Sequence, residues 1–212
     1  MKAKEKLLIF GAGGHAKVVI DVIEQQGRYE IAGLLDDDAQ SKGSRFFGYA
    51  VLGTRANLAA LHSDELRLAI VAIGDNAQRA AVADLLAQQG WHFATAIHPN
   101  ASIGRGAQIG PGSVIMAGSV VNADAHLGFH TILNTGATVD HDCRIERGAH
   151  IAPGCHLCGG VRVGQNSLLG AGTTVTQGVA IGSKAIVGAG STVIRDVADG
   201  TKVSGVPARI LD

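Results

Sequence analysis

The feature that most constrains the fold is a six-residue repeat in the second half of the chain. From Ile97 to Val193 every sixth residue is Ile, Leu or Val, without exception. The members between these two are Ile103, Ile109, Ile115, Val121, Leu127, Leu133, Val139, Ile145, Ile151, Leu157, Val163, Leu169, Val175, Ile181 and Val187. If about a third of positions carried such residues, chance would give this run with odds of about 10⁻⁸. The period therefore reflects structure.

A second register supports the first. Four places after most of these aliphatic residues the side chain is small or β-branched, as at Ala101, Ala107, Ser113, Ser119, Ala125, Thr131, Ala137, Cys143, Ala149 and Cys155. Strict hexapeptide periodicity predicts a parallel β-helix, in which each hexad gives one short strand and one corner and three hexads close a triangular coil. The aliphatic residue fills the axis and the small residue fits the corner. Glycines permit the turn where a Cβ would crowd, as at Gly104, Gly110, Gly164, Gly170, Gly182 and Gly188.

Prisms of this kind wind left-handed and usually associate as trimers, so we expect a left-handed parallel β-helix over 97–212 in a homotrimer. Handedness and association are properties of that fold and are not read from the residues.

Before Ile97 the pattern changes to alternating strands and helices. The segment 7–10 reads as a buried strand, and a helix follows it and stops at Gly27. The side chains expected on its inner face are Val18, Val19, Val22 and Ile23. Further strands are predicted in YEIAGLLDDD and LRLAIVAIGDN, and a second helix in AQRAAVADLLAQQG. The pattern indicates an α/β domain with a small parallel sheet over 1–96.

The turn GAGGHA at 11–16 matches G-x-G-x-x-A and places backbone amides and a helix N-terminus where a pyrophosphate can bind. Asp36 and Asp37 end the second strand, where a carboxylate can accept hydrogen bonds from a ribose or base. Fewer than a hundred residues precede the repeat, which is room for one mononucleotide-binding half, a half-Rossmann domain. A nucleotide-sugar site is favoured; an NAD site and a purely structural glycine turn stay open.

Composition excludes several classes of partner. Lys and Arg number 18, as do Asp and Glu, and the pI is near 7.1. This balance builds no positive field for a phosphate backbone or an anionic membrane, so neither nucleic acid nor membrane is expected as a partner. The first residues carry too few apolar side chains for a signal peptide or a spanning helix, and we expect a cytoplasmic protein. Cys143, Cys155 and Cys158 include a single C-x-x-C without the second pair of a structural zinc site, so no metal is expected.

One stretch carries chemistry inside the repeat. NTGATVDHDC, at 134–143, places His141 between Asp140 and Asp142, and His150 follows nine residues later. A histidine titrates near neutral pH, and a neighbouring carboxylate stabilises its protonated form and raises its basicity. A solvated surface histidine is the alternative, because exposed polar residues need no function.

These motifs together resemble those of a known family. FGAGGHA, LLDDD, VAIGDN, NTGATVDHDC and the closing SGVPARIL cover almost the whole chain. They resemble the bacterial hexapeptide acetyltransferases, which include sialic acid O-acetyltransferases and N-acetyltransferases of nucleotide-linked aminosugars. The resemblance implies transfer of acetyl from acetyl-CoA to the amino group of a UDP- or GDP-linked 4-aminosugar. Transfer to a sugar hydroxyl, of the sialic acid type, is the alternative.

The resemblance also implies a role for each matching residue. His141 resembles the general base, and Asp142 the carboxylate that raises its basicity, with Asp140 as the rival. His150 resembles a residue that contacts the thioester region of acetyl-CoA, and Asn134 is a weaker candidate for ordering this coil. Two positions resemble the lining of the pantetheine groove: Ala171 and Ala189. Six resemble nucleotide-sugar contacts: Gly13, Gly14, His15, Asp36, Asp37 and Gly74.

Two other classes use the same prism. Zinc carbonic anhydrases need three converging imidazoles and carry two histidines five residues apart, a spacing that no pair in this sequence has. A non-catalytic scaffold is the other class, and it would be supported if His141→Ala left acetyl transfer to every aminosugar tested unaffected.

Overall fold

The computed structural model describes residues 4–38 and 43–211. Contacts divide the chain into two compact units, Met1–Ala96 and Ile97–Asp212. The elements of the first unit are β1 Glu5–Phe10, α1 Gly14–Gln26, β2 Tyr29–Leu35, β3 Arg45–Phe46, β4 Tyr49–Gly53, a 3₁₀ turn Arg55–Asn57, α2 Leu58–Leu61, β5 Leu68–Val71, α3 Asn76–Gln88 and β6 His92–Phe93.

The strands of the first unit form one sheet in the order β3-β4-β2-β1-β5-β6. All neighbours are parallel except β3 and β4. The α/β fold expected from the sequence is confirmed. Parallel pairing brings the C-terminal ends of β4, β2, β1 and β5 to the same edge, where ligands of such sheets bind.

Helix α1 begins after the N-cap Gly13 and ends at Gly27, whose left-handed φ of 67° allows its amide to bond back to Ile23. Its buried residues are Ala16, Val19, Ile20, Val22 and Ile23. The prediction that Val18 faces inward was wrong, because Val18 is 39% exposed. Ile20 takes its place, since it lies four positions after Ala16 and three before Ile23 on one face of the helix.

The hairpin β3–β4 was not predicted. Its two-residue turn, Phe47–Gly48, has positive φ at both positions, as a type I′ turn requires. Asn-Gly is the usual sequence signal for this turn. Phe47 stands where that signal has Asn, so the sequence gives no indication of the turn. The hairpin matters because β4 lengthens the sheet beyond β2, and Asp36 N donates a 2.9 Å hydrogen bond to Gly53 O at the end of β4.

The second unit is a left-handed parallel β-helix with three faces. Face 1 contains Ala96–Ile97 (β7), Val114–Ile115 (β10), Ile132–Leu133 (β13), His150–Ile151 (β16), Leu168–Leu169 (β19), Ile186–Val187 (β22), Lys202–Gly205 (β24) and Ala208–Ile210 (β25). Face 2 contains Ser102–Ile103 (β8), Val120–Val121 (β11), Thr138–Val139 (β14), His156–Leu157 (β17), Thr174–Val175 (β20) and Thr192–Val193 (β23). Face 3 contains Gln108–Ile109 (β9), His126–Leu127 (β12), Arg144–Ile145 (β15), Arg162–Val163 (β18) and Ala180–Ile181 (β21).

The axis of the prism is filled by the aliphatic residues of the repeat. Every member from Ile115 to Val193 is at most 2% exposed. The expectation fails in the first coil, where Ile103 is 40% exposed and Ile97 and Ile109 are only half-buried. No earlier coil of this prism packs beneath them, so the axial position there does not bury its side chain as it does in the middle.

The corners place two different demands on the chain. From Ile103 to Val187, the third residue after each axial aliphatic has left-handed backbone. Gly occupies most of these positions, and the others are Asp124, His130, Asp142, Asn166 and Lys184. The glycines expected from the repeat answer a different demand. At Gly110, for example, a Cβ would lie 2.7 Å from the backbone of Gly128 in the next coil, so close stacking excludes a side chain.

Candidate active site

The six predicted nucleotide contacts lie on the walls of one cleft of about 280 Å³ at the C-terminal edge of the sheet. The cleft is lined by residues 10–15 of the glycine turn, by Asp36 and Asp37 after β2, and by residues 72–74 and Gln78 after β5. Gly13, Gly14, His15 and Gly74 belong to these segments, so the structure brings all six together.

The glycine turn leaves the start of α1 open. No side chain caps the helix at Gly13, and its first turn has no acidic residue. A Cβ at Gly13 or Gly14 would meet no atom within 4 Å, so space lies in front of both. Gly11 is required for another reason, because its φ is 114° and a Cβ would lie 2.9 Å from Ala72 O. Amides at an uncapped helix N-terminus suit an anionic ligand such as a diphosphate.

Both carboxylates at the end of β2 bind protein groups. Asp36 Oδ2 accepts a 2.6 Å hydrogen bond from Ala12 N, and its Oδ1 accepts one from Asp38 N at 2.8 Å. Asp36 therefore braces the glycine turn. Asp37 forms an ion pair with Arg55, with Oδ2 2.5 Å from Nη2, and this hydrogen bond holds the pKa of Asp37 below its usual range. Sequence reasoning missed Arg55 because β4 was not predicted.

A buried arginine supports the opposite wall of the cleft. Arg79 in α3 is 1% exposed, and its guanidinium donates 3.0 Å hydrogen bonds to Ile73 O and Gly74 O and a 2.7 Å bond to Asn76 Oδ1. Burial lowers the pKa of Arg79 to about 10, so it stays protonated near neutral pH. Arg79 thus fixes the loop that carries Gly74, a role with no signal in the sequence.

His141 lies in the corner between β14 and β15, and its ring contacts one of its two acidic neighbours. Asp142 occupies the left-handed position of this corner, with φ 60°, and its Oδ2 is 2.8 Å from His141 Nδ1. In extended strand the two side chains would point to opposite faces. The corner conformation removes that obstacle. Short polar residues such as Asp tolerate left-handed backbone, so one residue serves both the turn and the imidazole.

The electrostatics of this corner favour a basic imidazole. The hydrogen bond that His141 donates to Asp142 raises the pKa of His141, and the charge of Asp140 adds to the effect. Both partners of the pair are exposed, with His141 at 61% and Asp142 at 68%. With Nδ1–H donated to the carboxylate, Nε2 carries the lone pair that can accept a proton.

Asp140 has a different task. Its Oδ1 accepts hydrogen bonds from His141 N at 2.8 Å and from Asn122 Nδ2 at 2.9 Å. These bonds lower the pKa of Asp140 and tie the corner to the preceding coil. Between the two candidates for orienting the ring, Asp142 makes the contact and Asp140 fixes the backbone.

Gly159 was not predicted as a site residue. It follows His141 by one coil, and Gly160 N donates a 2.9 Å hydrogen bond to His141 O. The ring of His141 lies over the place where a side chain of Gly159 would stand. Its φ is not left-handed, so space and not backbone strain requires glycine here. The signal in the sequence is the spacing of 18 residues, one coil.

His150 lies on face 1 and pairs with Asn134 in the preceding coil. Asn134 Nδ2 is 3.2 Å from His150 Nε2, while Asn134 Oδ1 accepts a 2.8 Å bond from Thr135 N. The amide nitrogen can only donate, so His150 Nε2 accepts and the proton of the neutral ring is on Nδ1. This contact links two consecutive coils on face 1, and the role of Asn134 in ordering the active-site coil stays a prediction.

One chain does not bring the two histidines together. His150 projects from face 1, whereas His141 occupies the corner between faces 2 and 3. In a triangular prism that corner is opposite face 1. The two side chains can therefore share a site only when they come from different copies of the chain.

Ala171 and Ala189 occupy one corner, between faces 1 and 2, in consecutive coils. Both are exposed, and Ala171 O accepts a 2.8 Å hydrogen bond from Gly190 N. The amide nitrogens of Ala171 and Ala189 donate no hydrogen bond within residues 4–38 and 43–211. Small side chains and open amides suit an extended ligand that itself carries amides.

Two of the three cysteines pack inside the prism. Cys143 and Cys155 are buried corner residues, and burial raises the pKa of Cys143 to about 11, whereas Cys158 is exposed. Within the described residues, no three His, Cys, Asp or Glu side chains cluster to hold a metal ion. None of the helices in that part of the chain has the length and apolar character needed to cross a membrane.

Family models match both units. Residues 6–86 match the PglD N-terminal domain, and residues 160–195 match the hexapeptide repeat of succinyl-transferase. Among solved structures, perosamine N-acetyltransferase from Caulobacter crescentus, in complex with CoA and GDP-perosamine, is 39% identical. The match covers 100% of this chain and 98% of that one, with a TM-score of 0.93. The chain belongs to the bacterial hexapeptide-repeat sugar acetyltransferases.

Two further members of this family agree with the assignment. The acetyltransferase domain of PglB from Neisseria gonorrhoeae FA1090 is 38% identical, with 98% of this chain and 100% of that chain covered and a TM-score of 0.91. WeeI from Acinetobacter baumannii AYE is 27% identical, with 97% and 99% covered and a TM-score of 0.89. The PglB domain has also been solved with acetyl coenzyme A.

Proposed function

We propose that this sugar acetyltransferase moves acetyl from acetyl-CoA to the amino group of a nucleotide-linked aminosugar. The observation that carries the proposal is the His141–Asp142 pair, 2.8 Å apart in an open corner, with Nε2 as the proton acceptor. The Caulobacter relative, solved with CoA and GDP-perosamine, supports an amine acceptor over a sugar hydroxyl.

The reaction is direct acyl transfer. The amine nitrogen attacks the thioester carbonyl carbon, and a tetrahedral intermediate forms with negative charge on oxygen. His141 Nε2 takes the proton that the nitrogen loses, and the C–S bond then breaks. The CoA thiolate leaves and takes that proton from the imidazolium. Acetyl-CoA and amine become amide and CoA with no covalent enzyme intermediate and no metal.

The remaining predicted residues have roles in binding. The nucleotide lies in the cleft formed by Gly13, Gly14, His15, Asp36, Asp37 and Gly74. Acetyl-CoA lies with its pantetheine arm along Ala171 and Ala189 and its thioester near His150.

We further propose that the working enzyme is a homotrimer. Its support is that His141 and His150 lie on opposite sides of one prism, so a site that uses both needs two chains. A cyclic trimer supplies three such sites. Charged co-substrates that do not cross membranes unaided favour the cytoplasm as its location.

The test is incubation of the purified protein with acetyl-CoA and a panel of UDP- and GDP-linked 4-aminosugars. CoA release should be followed by chromatography, because the exposed Cys158 would react with thiol reagents. We expect CoA and an N-acetyl product in equal amounts, and their absence with His141→Ala. Turnover of sialic acid instead of every aminosugar would contradict the proposal, as would full activity of His141→Ala.

A further inference from the structure

Arg55 is paired with Asp37, which lines the cleft, and one edge of its guanidinium contacts no residue in the described part of the chain. A guanidinium has two edges that can each donate two parallel hydrogen bonds. Asp37 takes the first: Nε is 3.0 Å from both carboxylate oxygens and Nη2 is 2.5 Å from Oδ2. Asp37 also accepts from Arg55 N at 3.2 Å, which fixes the backbone. Within the described ranges Nη1 donates no hydrogen bond, so none of these residues occupies the second edge, which is formed by Nη1 and Nη2.

The order of the strands says which part of a nucleotide reaches this edge. A diphosphate binds at the start of α1, after β1. The ribose lies beside the carboxylates that follow β2, as in related parallel sheets. The next strand in the sheet is β4, and Arg55 comes two residues after its end. Two strand spacings separate β1 from β4, about 10 Å, which suits the reach from the diphosphate to the base.

We propose that Arg55, held by Asp37, reads the nucleotide base and makes the cleft prefer guanine over uracil. This rests on the proposed function only in taking a nucleoside diphosphate as the ligand of this cleft. The proposal assigns Asp37 to holding the guanidinium and leaves the support of the glycine turn to Asp36.

The chemistry of the two bases decides the direction of the preference. Guanine presents two adjacent acceptors, O6 and N7, which match the two parallel donors of a guanidinium edge. Uracil presents a carbonyl oxygen next to an N–H, so one donor of the same edge finds no acceptor. The ion pair with Asp37 keeps the guanidinium in one orientation, which lowers the entropy that such recognition costs.

The test compares binding of GDP, UDP and inorganic pyrophosphate by isothermal titration calorimetry. The variants are Arg55→Lys, which keeps the charge and removes the planar edge, and Arg55→Gln. Arg67→Gln is the matched control, since Arg67 is an exposed arginine of the same unit at the opposite edge of the sheet. No acetyl transfer is needed, so failure of this inference and failure of the proposed function are separate results.

We expect the native protein to bind GDP more tightly than UDP. Arg55→Lys should weaken GDP binding between about fivefold and about a hundredfold, the range for losing one bidentate base contact. UDP and pyrophosphate binding should hardly change, and Arg67→Gln should match the native protein. Equal affinity of the native protein for GDP and UDP would overturn the proposal. So would an equal loss for GDP, UDP and pyrophosphate in Arg55→Lys, because Arg55 would then serve the phosphates.

Discussion

The imidazole of His141 lies over Gly159 of the next coil: a Cβ at Gly159 would stand 2.6 Å from both Cε1 and Nε2 of the ring. The ring therefore hydrogen-bonds Asp142 through Nδ1 and occupies the space that a side chain at position 159 would fill. Nε2, the atom that we propose accepts the proton, is among the atoms nearest to the position of that Cβ.

Gly159→Ala should displace the imidazole and lower kcat by at least about tenfold, since misplacement by about 1 Å can cost a hundredfold. The protein should fold normally, because alanine can adopt the backbone conformation of Gly159. Steady-state kinetics, with thermal unfolding to confirm folding, would check this. A fully active Gly159→Ala would show that the ring moves aside without consequence.

Asp142→Asn should lower the pKa of His141, because the carboxylate that raises it is removed. As the proposed base, His141 acts in its neutral form, so kcat should rise with pH through this pKa. In the native protein the rise in kcat should lie above pH 6.5. In Asp142→Asn the rise should move to lower pH, and the maximal kcat at high pH should be lower.

Asp124→Asn is the matched control for this profile. Asp124 occupies the same left-handed corner position one coil earlier, with φ 57°, and Asn tolerates that backbone as well. Its pH profile of kcat should be native. If the pH profile of Asp124→Asn shifted as much as that of Asp142→Asn, the effect would come from loss of any nearby negative charge and not from the contact between Asp142 and His141.

Asp36→Ala should weaken binding of the nucleotide sugar, because Ala12 N and Asp38 N lose their acceptor and the glycine turn loosens. We expect KM for the nucleotide sugar to rise about tenfold, which corresponds to the one charge-assisted hydrogen bond that ties Asp36 to the glycine turn, the bond from Ala12 N. KM for acetyl-CoA should stay unchanged. Asp21→Ala, on the exposed side of α1, is the control. A parallel rise in both KM values would indicate general destabilisation.

Two isoleucines of the same repeat should differ in their effect on stability. Ile145 is 1% exposed on the axis and Ile103 is 40% exposed in the first coil. Ile145→Ala should lower the free energy of unfolding by about 2–5 kcal/mol, as in well-packed cores. Ile103→Ala should cost less than about 1 kcal/mol by the area it still exposes. Urea titrations would measure both, and equal losses would mean that Ile103 is covered in solution.

Two inactive variants should complement each other. His141→Ala and His150→Ala should each have little activity alone, and activity should return when chains of the two variants assemble together. In a cyclic trimer with His141 from one chain and His150 from its neighbour, roughly a quarter of the sites regain both residues. The measurement is CoA release after co-expression of the two chains with different tags. No recovery in verified mixed oligomers would place both residues on one chain.

The sequence by itself determined the prism, because a hexad needs only an axial aliphatic residue and a small corner residue, and both can be recognised every six positions. It also placed the six cleft residues, since the C-terminal ends of parallel strands meet at one edge. Val18 and Ile103 were expected to be buried and are exposed. Burial depends on which residues pack against a side chain, and sequence periodicity carries no information about those residues.

Only the tertiary structure decided which groups touch. Asp140 and Asp142 are equivalent neighbours of His141 in sequence, and the left-handed corner alone turns Asp142 towards the ring. Gly159 and Arg55 contact their partners across a coil and across a sheet, so their roles arise from stacking of strands. Such contacts depend on distances in space between residues 18 positions apart, which local pattern and propensity do not encode.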